Sequence, residues 1–152
     1  MEPDVTVSRE IAASPEAVFA AITDITRMGE WSPENQGGVW HEGFSGAEVG
    51  ATFTGTNRNG DKEWHIDSVI TELVPNERFF FDCQVRDFVF AKWGYTIEAT
   101  DGGCTVTEYW QDLRPEELRT GVSPTSGVGD RVPHNRAGME ATLEGLAAAL
   151  EG

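Results

Sequence analysis

DRVPHNRAGMEATLEGLAAALEG, residues 130–152, is the stretch that decides the fold of this chain. Met139, Leu143, Leu146 and Leu150 stand 4, 3 and 4 residues apart, and Val132 and Ala147 extend the stripe. That is one face of a 3.6-residue period, with Glu140, Glu144 and Glu151 on the other side. Asp130 reads as the N-cap, and Pro133 falls in the first turn, where its missing N–H costs no intrahelical bond. A helix of about 20 residues is about 30 Å long. It cannot bury such a stripe alone, so the residues before it must supply a large apolar face.

Working back from the helix, that face reads as strands. Residues 104–113, 90–100 and 78–85 carry alternating or ring-rich apolar patterns, joined through Asp101-Gly102-Gly103 and a polar turn after Val85. Pro75-Asn76 turns residues 62–73 into the next strand, and Asn59-Gly60 is a strong hairpin signal joining 51–58 to 62–73. Residues 39–42 form a further strand before a glycine-rich turn. Residues 5–11 alternate with Val5, Val7 and Ile11 on one face, and Arg9 breaks that face. Ser14-Pro15 is an N-cap followed by proline at the first helical position; it opens a helix that stops near Asp24, and a second short helical segment covers 25–31. The loop 114–129, rich in Gly, Pro, Ser and Thr, leads into the last helix and has the composition of a movable flap. Consecutive strands joined by short turns make an antiparallel meander, and the segregated helices make the domain α+β. The expected architecture is a curved sheet of six or seven strands around the long C-terminal helix, with two short helices after the first strand, in one domain spanning 1–152.

Charge narrows the function classes. Eleven Lys and Arg against 26 Asp and Glu give a net charge of −15, a surface that repels nucleic-acid backbones and anionic lipid headgroups. No apolar run reaches the ~18 residues of a membrane helix, so no stable membrane insertion is expected. MEPDVTVSRE, the opening ten residues, lacks the basic and apolar regions of a signal peptide, which leads to a cytoplasmic expectation. Two cysteines, Cys83 and Cys104, are too few for a disulfide framework, and the intervening strand separates them by two strand spacings. Both are expected reduced.

Inward positions mix large rings with small side chains. If Ile97 faces the helix, so do Trp93 and Tyr95; if Val106 does, so do Glu108 and Trp110. Phe79, Phe81 and Cys83 share a face, as do Ala51, Phe53 and Gly55. Small residues beside rings leave unfilled volume, the mark of an aromatic-lined pocket; plain core packing uses the same residues. Arg9 and Glu108 bring one charge of each sign to this face, and a buried charge needs a partner, so the two are expected to pair. Such a pair reads as a structural ion pair, or as candidate catalytic groups for acid/base work. His41, His65 and His134 are scattered. His65 and Asp67 share a strand face but no third ligand stands at a metal-site spacing, so neither metal nor cofactor is expected. Nucleophile-elbow, P-loop and dinucleotide fingerprints do not occur.

These pieces resemble the START-like helix-grip (SRPBCC) superfamily, and within it the bacterial polyketide cyclase/dehydrase and lipid-transport family. The resemblance rests on REIAASPEAVFAAITDITRMGEW at 9–31, Gly50 with Phe53, Trp64 with Val69, Pro75 and Phe79, Trp93-Gly94-Tyr95, residues 103–108, and HNRAGMEATLEGLAAAL at 134–150. It covers almost the whole chain. It implies the helix-grip fold, and a small hydrophobic or aromatic molecule held between sheet and helix. Phe53, Trp64, Phe81, Trp93, Tyr95, Glu108 and Trp110 on strands, with Met139 and Leu143 on the helix, are the expected ligand contacts. A carrier of lipid- or polyketide-like molecules, a polyketide cyclase/dehydratase using an inward carboxyl, and a protein-interaction or co-chaperone domain are the functions this fold suggests. Monomer or weak dimer is the expected assembly.

Overall fold

A computed structural model describes residues 1–151. Strand β1, Val5–Ile11, runs into Ser14, whose hydroxyl accepts from the Ala17 N–H and caps helix α1, Pro15–Thr23. Asp24 then caps a 3₁₀ helix, Ile25–Glu30. Six strands follow: β2 Asn35–Trp40, β3 Thr52–Asn59, β4 Lys62–Val74, β5 Arg78–Val85, β6 Phe88–Thr100 and β7 Gly103–Asp112. A short 3₁₀ turn at Glu116–Leu118 precedes helix α2, Arg131–Leu150. The strands form one antiparallel sheet ordered β1-β7-β6-β5-β4-β3-β2. α1 and the 3₁₀ helix therefore carry the chain from one sheet edge to the other.

The sheet curls into a half-barrel around α2. Register shifts interrupt β2 between Asn35 and Gly37, β4 between Ile70 and Glu72, and β6 between Val89 and Ala91, opposite Cys83 and Gln84. Each such irregularity bends its strand and increases local twist. The helical stripe is buried at Met139, Leu143, Leu146 and Ala147, and Leu150 packs against the same core. Val132 departs from expectation and is 42% exposed. Its turn lies at the mouth of the half-barrel, where neighbouring Arg131 and His134 meet Glu34. Asp130 caps α2 through the Val132 N–H, and at the far end Glu151 Oε2 accepts from the Ala12 N–H, tying the helix to the β1–α1 connection. The helix can approach Trp31 closely because residue 145 is glycine; a Cβ there would lie 2.8 Å from that of Trp31.

Both cysteines are free and buried. Cys83 lies opposite Ala91 on one side of β6 and Cys104 opposite Ala99 on the other, so the intervening strand holds them apart. No helix among the described residues is long and apolar enough to cross a membrane.

Candidate functional site

Between the sheet and α2 lies a cavity of about 960 Å³, near the upper end of ligand-site volumes. Strand alternation builds its walls. β3 contributes Phe53, Gly55 and Asn57, β4 contributes Trp64, Ile66 and Ser68, and β5 contributes Phe81 and Cys83. β6 adds Ala91, Trp93 and Tyr95; β7 adds Glu108, Trp110 and Asp112; Met139 and Thr142 come from α2. The rings support one another edge-on or tilted: Phe53 and Phe81 at 5.5 Å between centroids, Trp93 and Trp110 at 6.1 Å. Gly55, Ser68, Cys83 and Ala91 are too short to meet across the space that these rings leave. The lining runs from the buried Tyr95 and Glu108 out to Pro33 and Val85, which are exposed, so the cavity opens to solvent.

One polar pair stands in its depth. Tyr95 and Glu108 are opposite each other in the β6–β7 register, and the Tyr95 hydroxyl donates to Glu108 Oε2 at 3.0 Å. Glu108 Oε1 is buried with no partner. Desolvation pushes the carboxyl up to about 8, and the bond from Tyr95 offsets only part of that. Burial first, then Glu108, raises the Tyr95 hydroxyl well above its ordinary value. At neutral pH both are uncharged. A buried polar atom without a partner costs about 1–3 kcal/mol.

Arg9 is not the partner of Glu108. It is exposed and lies opposite Val106, while Val7 is the residue across from Glu108. Arg9 shares the inward parity of Val5, Val7 and Ile11, but β1 is a sheet edge, where a long side chain reaches water past the rim. Of the other expected contacts, Phe53, Trp64, Phe81, Trp93, Tyr95, Trp110 and Met139 all line the cavity. Leu143 does not; it is fully buried in the apolar core beside it.

The mouth is polar and held by side chains from segments far apart in the sequence. Arg131 Nη1 and His134 Nε2 meet the two carboxylate oxygens of Glu34 at 2.7 and 2.9 Å. The Arg131 guanidinium lies over the Trp64 ring, 5.7 Å from its centroid, and donates to Asn135 Oδ1. Ser123, Thr125 and Ser126 of the 114–129 loop border the cavity, and Asn59 donates to the Ser126 carbonyl at 2.8 Å. At the start of that loop Arg114 forks onto Asp112 and Arg119 donates to the Asp112 carbonyl. Burial works to raise the Asp112 carboxyl, but its bonds from Arg114 and the charges of Arg114 and Arg119 together hold it below its ordinary value.

The histidines stand apart. His41 Nε2 is 2.7 Å from Thr54 Oγ1, which donates to Asp67, and His65 faces Thr56, all on the sheet's outer side. Among the described residues no group of three His, Cys, Asp or Glu side chains is arranged to hold a metal.

A half-barrel closed by its last helix around a ligand-sized cavity defines a helix-grip domain. Solved structures of that form resemble this chain over most or nearly all of its length. A protein of Chromobacterium violaceum is 20% identical, with TM-score 0.73 and 99% of each chain covered. The di-domain ARO/CYC protein StfQ of the steffimycin biosynthetic pathway is 14% identical, with TM-score 0.71, over 97% of this chain and 50% of its own. A polyketide-cyclase-like protein of Corynebacterium glutamicum is 35% identical, with TM-score 0.51, over 76% of this chain and 68% of its own. The sequence profile of the polyketide cyclase / dehydrase and lipid transport family matches residues 2–151, and the chain belongs to that family. Among curated proteins no sequence matches it.

Proposed function

We propose that this protein binds or carries one small apolar or aromatic molecule in the cavity between the sheet and α2. The observation that carries the reading is the cavity itself, about 960 Å³ lined by Phe53, Phe81, Trp93 and Trp110. Apolar volume of this kind favours an apolar guest over water. Membership of a family described by cyclase, dehydrase and lipid-transport activities supports the same class of ligand. Titration with flavonoid-like aromatics, polyketide-like aromatics and fatty acids, followed by tryptophan fluorescence, tests it. At least one class is expected to saturate, and Cys83→Phe, which fills the cavity from β5, is expected to abolish that binding while the variant remains folded. Binding unaffected by Cys83→Phe, or no saturation by any class, contradicts it.

A second reading has one specific observation in its favour. Glu108 holds its proton at neutral pH inside an apolar cavity, the state a general acid requires. A cyclase or dehydratase would fold a polyketide-like chain in the cavity and use that proton. Conversion of a bound poly-ketone, stopped by Glu108→Gln while binding persists, distinguishes enzyme from carrier.

A further inference from the structure

We propose that the ligand carries a carbonyl oxygen of ketone or quinone type, and that Glu108, positioned by Tyr95, donates the hydrogen bond that orients it. The inference rests on the cavity-binding reading and specifies its polar contact. Its starting point is the unpartnered Oε1 of Glu108, buried and on the cavity wall. Tyr95 donates to Oε2, which makes Oε2 the carbonyl oxygen of a neutral carboxyl and leaves the proton on Oε1. Buried in this way, the carboxyl is protonated at neutral pH. Oε1 is therefore a donor with no acceptor.

The neighbours on the same faces supply none. Along β7 the flanking inward residues are Val106 and Trp110; along β6, beside Tyr95, they are Trp93 and Ile97. Valine and isoleucine have no side-chain polar atom, and an indole N–H only donates. Glu108 and Tyr95 thus form a polar island on the inner face of β6 and β7, and a guest that carries an acceptor satisfies it. A carbonyl satisfies Oε1–H and brings no proton of its own. The aromatic flanks, Trp93 and Trp110, suit a ring attached to that carbonyl.

The proposal implies a pH dependence, because an ionised Glu108 accepts but cannot donate. Tyr95 is the ionisable group in contact with it from β6, and its hydroxyl stays protonated. β1 presents Val7 opposite. The Cys83 thiol on β5, pushed up to about 12 by burial, also stays neutral. Asp112 further along β7 is engaged by Arg114. The charged groups of α2 on this cavity, Arg131 and His134, are bound to Glu34 at the mouth. Arg58, His65 and Asp67 of β3 and β4 are exposed on the outer side of the sheet.

The test uses two uncharged probes of nearly equal shape, 2-acetylnaphthalene and 2-isopropenylnaphthalene, which differ by a carbonyl oxygen against a methylene. Dissociation constants are measured by tryptophan fluorescence for the wild type, Glu108→Gln and Glu108→Leu at about pH 6 and about pH 9. The wild type is expected to prefer the ketone roughly three- to tenfold at the lower pH, the net worth of one hydrogen bond, and to lose that preference at the higher pH. Glu108→Gln keeps a donor and should show the preference at both pH values; Glu108→Leu should bind both probes alike. Equal wild-type affinity for the two probes at the lower pH overturns the proposal while leaving the cavity reading intact. So does a preference that survives in Glu108→Leu. If that variant fails to fold, a wild-type preference identical at both pH values overturns the proposal instead. Binding of neither probe overturns the cavity reading and this inference with it.

Discussion

Replacing Glu108 by Gln probes the buried carboxyl through stability alone. The side chain titrates at an ordinary value of 4.5 when unfolded and is pushed up to about 8 when buried in the fold. Between those values the native state keeps a proton that the unfolded chain has released, so stability falls as pH rises. The stabilising balance is intact below the unfolded value and is lost progressively up to the folded one. The loss accumulates at ~1.4 kcal/mol per pH unit, about 3 kcal/mol by neutral pH and roughly 5 kcal/mol above pH 8. Gln keeps the shape and the acceptor for Tyr95 but does not titrate; its unpaired amide N–H costs the same at every pH. Urea unfolding of both proteins from about pH 5 to pH 7 isolates the effect, because the remaining titrations of this strongly acidic chain are common to both and cancel in the difference. Glu108→Gln is expected to gain roughly 2–3 kcal/mol on the wild type over that interval. A difference constant to within about 0.5 kcal/mol would refute the claim that Glu108 is buried, neutral and unsatisfied.

Two further substitutions test the packing that holds the cavity open. Leu143, fully buried where α2 meets the core, should cost about 2–5 kcal/mol on truncation to Ala; a loss under about 0.5 kcal/mol in urea unfolding would place it at the surface. Gly94 lies beneath the Phe80 ring on the sheet's outer side, where a Cβ would come within 1.9 Å of the ring. Gly94→Ala should therefore destabilise by about 1–3 kcal/mol, although alanine in an open strand is normally the better residue. Combining it with Phe80→Ala should cost less than the sum of the two, and strict additivity would show that the ring is not seated there.

The strands and the helix were legible because burial on one face imposes a period. Residues 103–112 alternate without a break, so Cys104, Val106, Glu108 and Trp110 could be placed on one wall. The cavity was legible in the same way, from glycine, alanine and cysteine sharing faces with rings. Glu108 was found as the one carboxyl on such a face. Its partner was not, because alternation gives the parity of a residue and not its depth: Arg9 has inward parity on an edge strand, and the contact went to Tyr95 on neighbouring β6. Val132 fails for a related reason, since the helical period gives a residue's face and not its depth; it is 42% exposed. β2 starts earlier than its apolar residues, at Asn35, because Gly37 and Gly38 pair there and lie against the backbone of Thr26 and the side chain of Ile25. The cluster of Glu34, Arg131 and His134 joins segments about a hundred residues apart, and no local pattern announces it.

The five tryptophans allow the central claim to be read in one spectrum. Trp64, Trp93 and Trp110 line the cavity; Trp31 packs beneath Gly145, and Trp40 stands behind Phe53, both outside it. Indole N–H resonances of ¹⁵N-labelled protein, assigned by single Trp→Phe changes and followed during titration with 2-acetylnaphthalene, report which rings meet the guest. Saturable shifts of the Trp64, Trp93 and Trp110 signals, with Trp31 and Trp40 nearly still, are the predicted result. Shifts confined to Trp31 and Trp40, or five signals unmoved at saturating probe, would contradict a binding site between the sheet and the last helix.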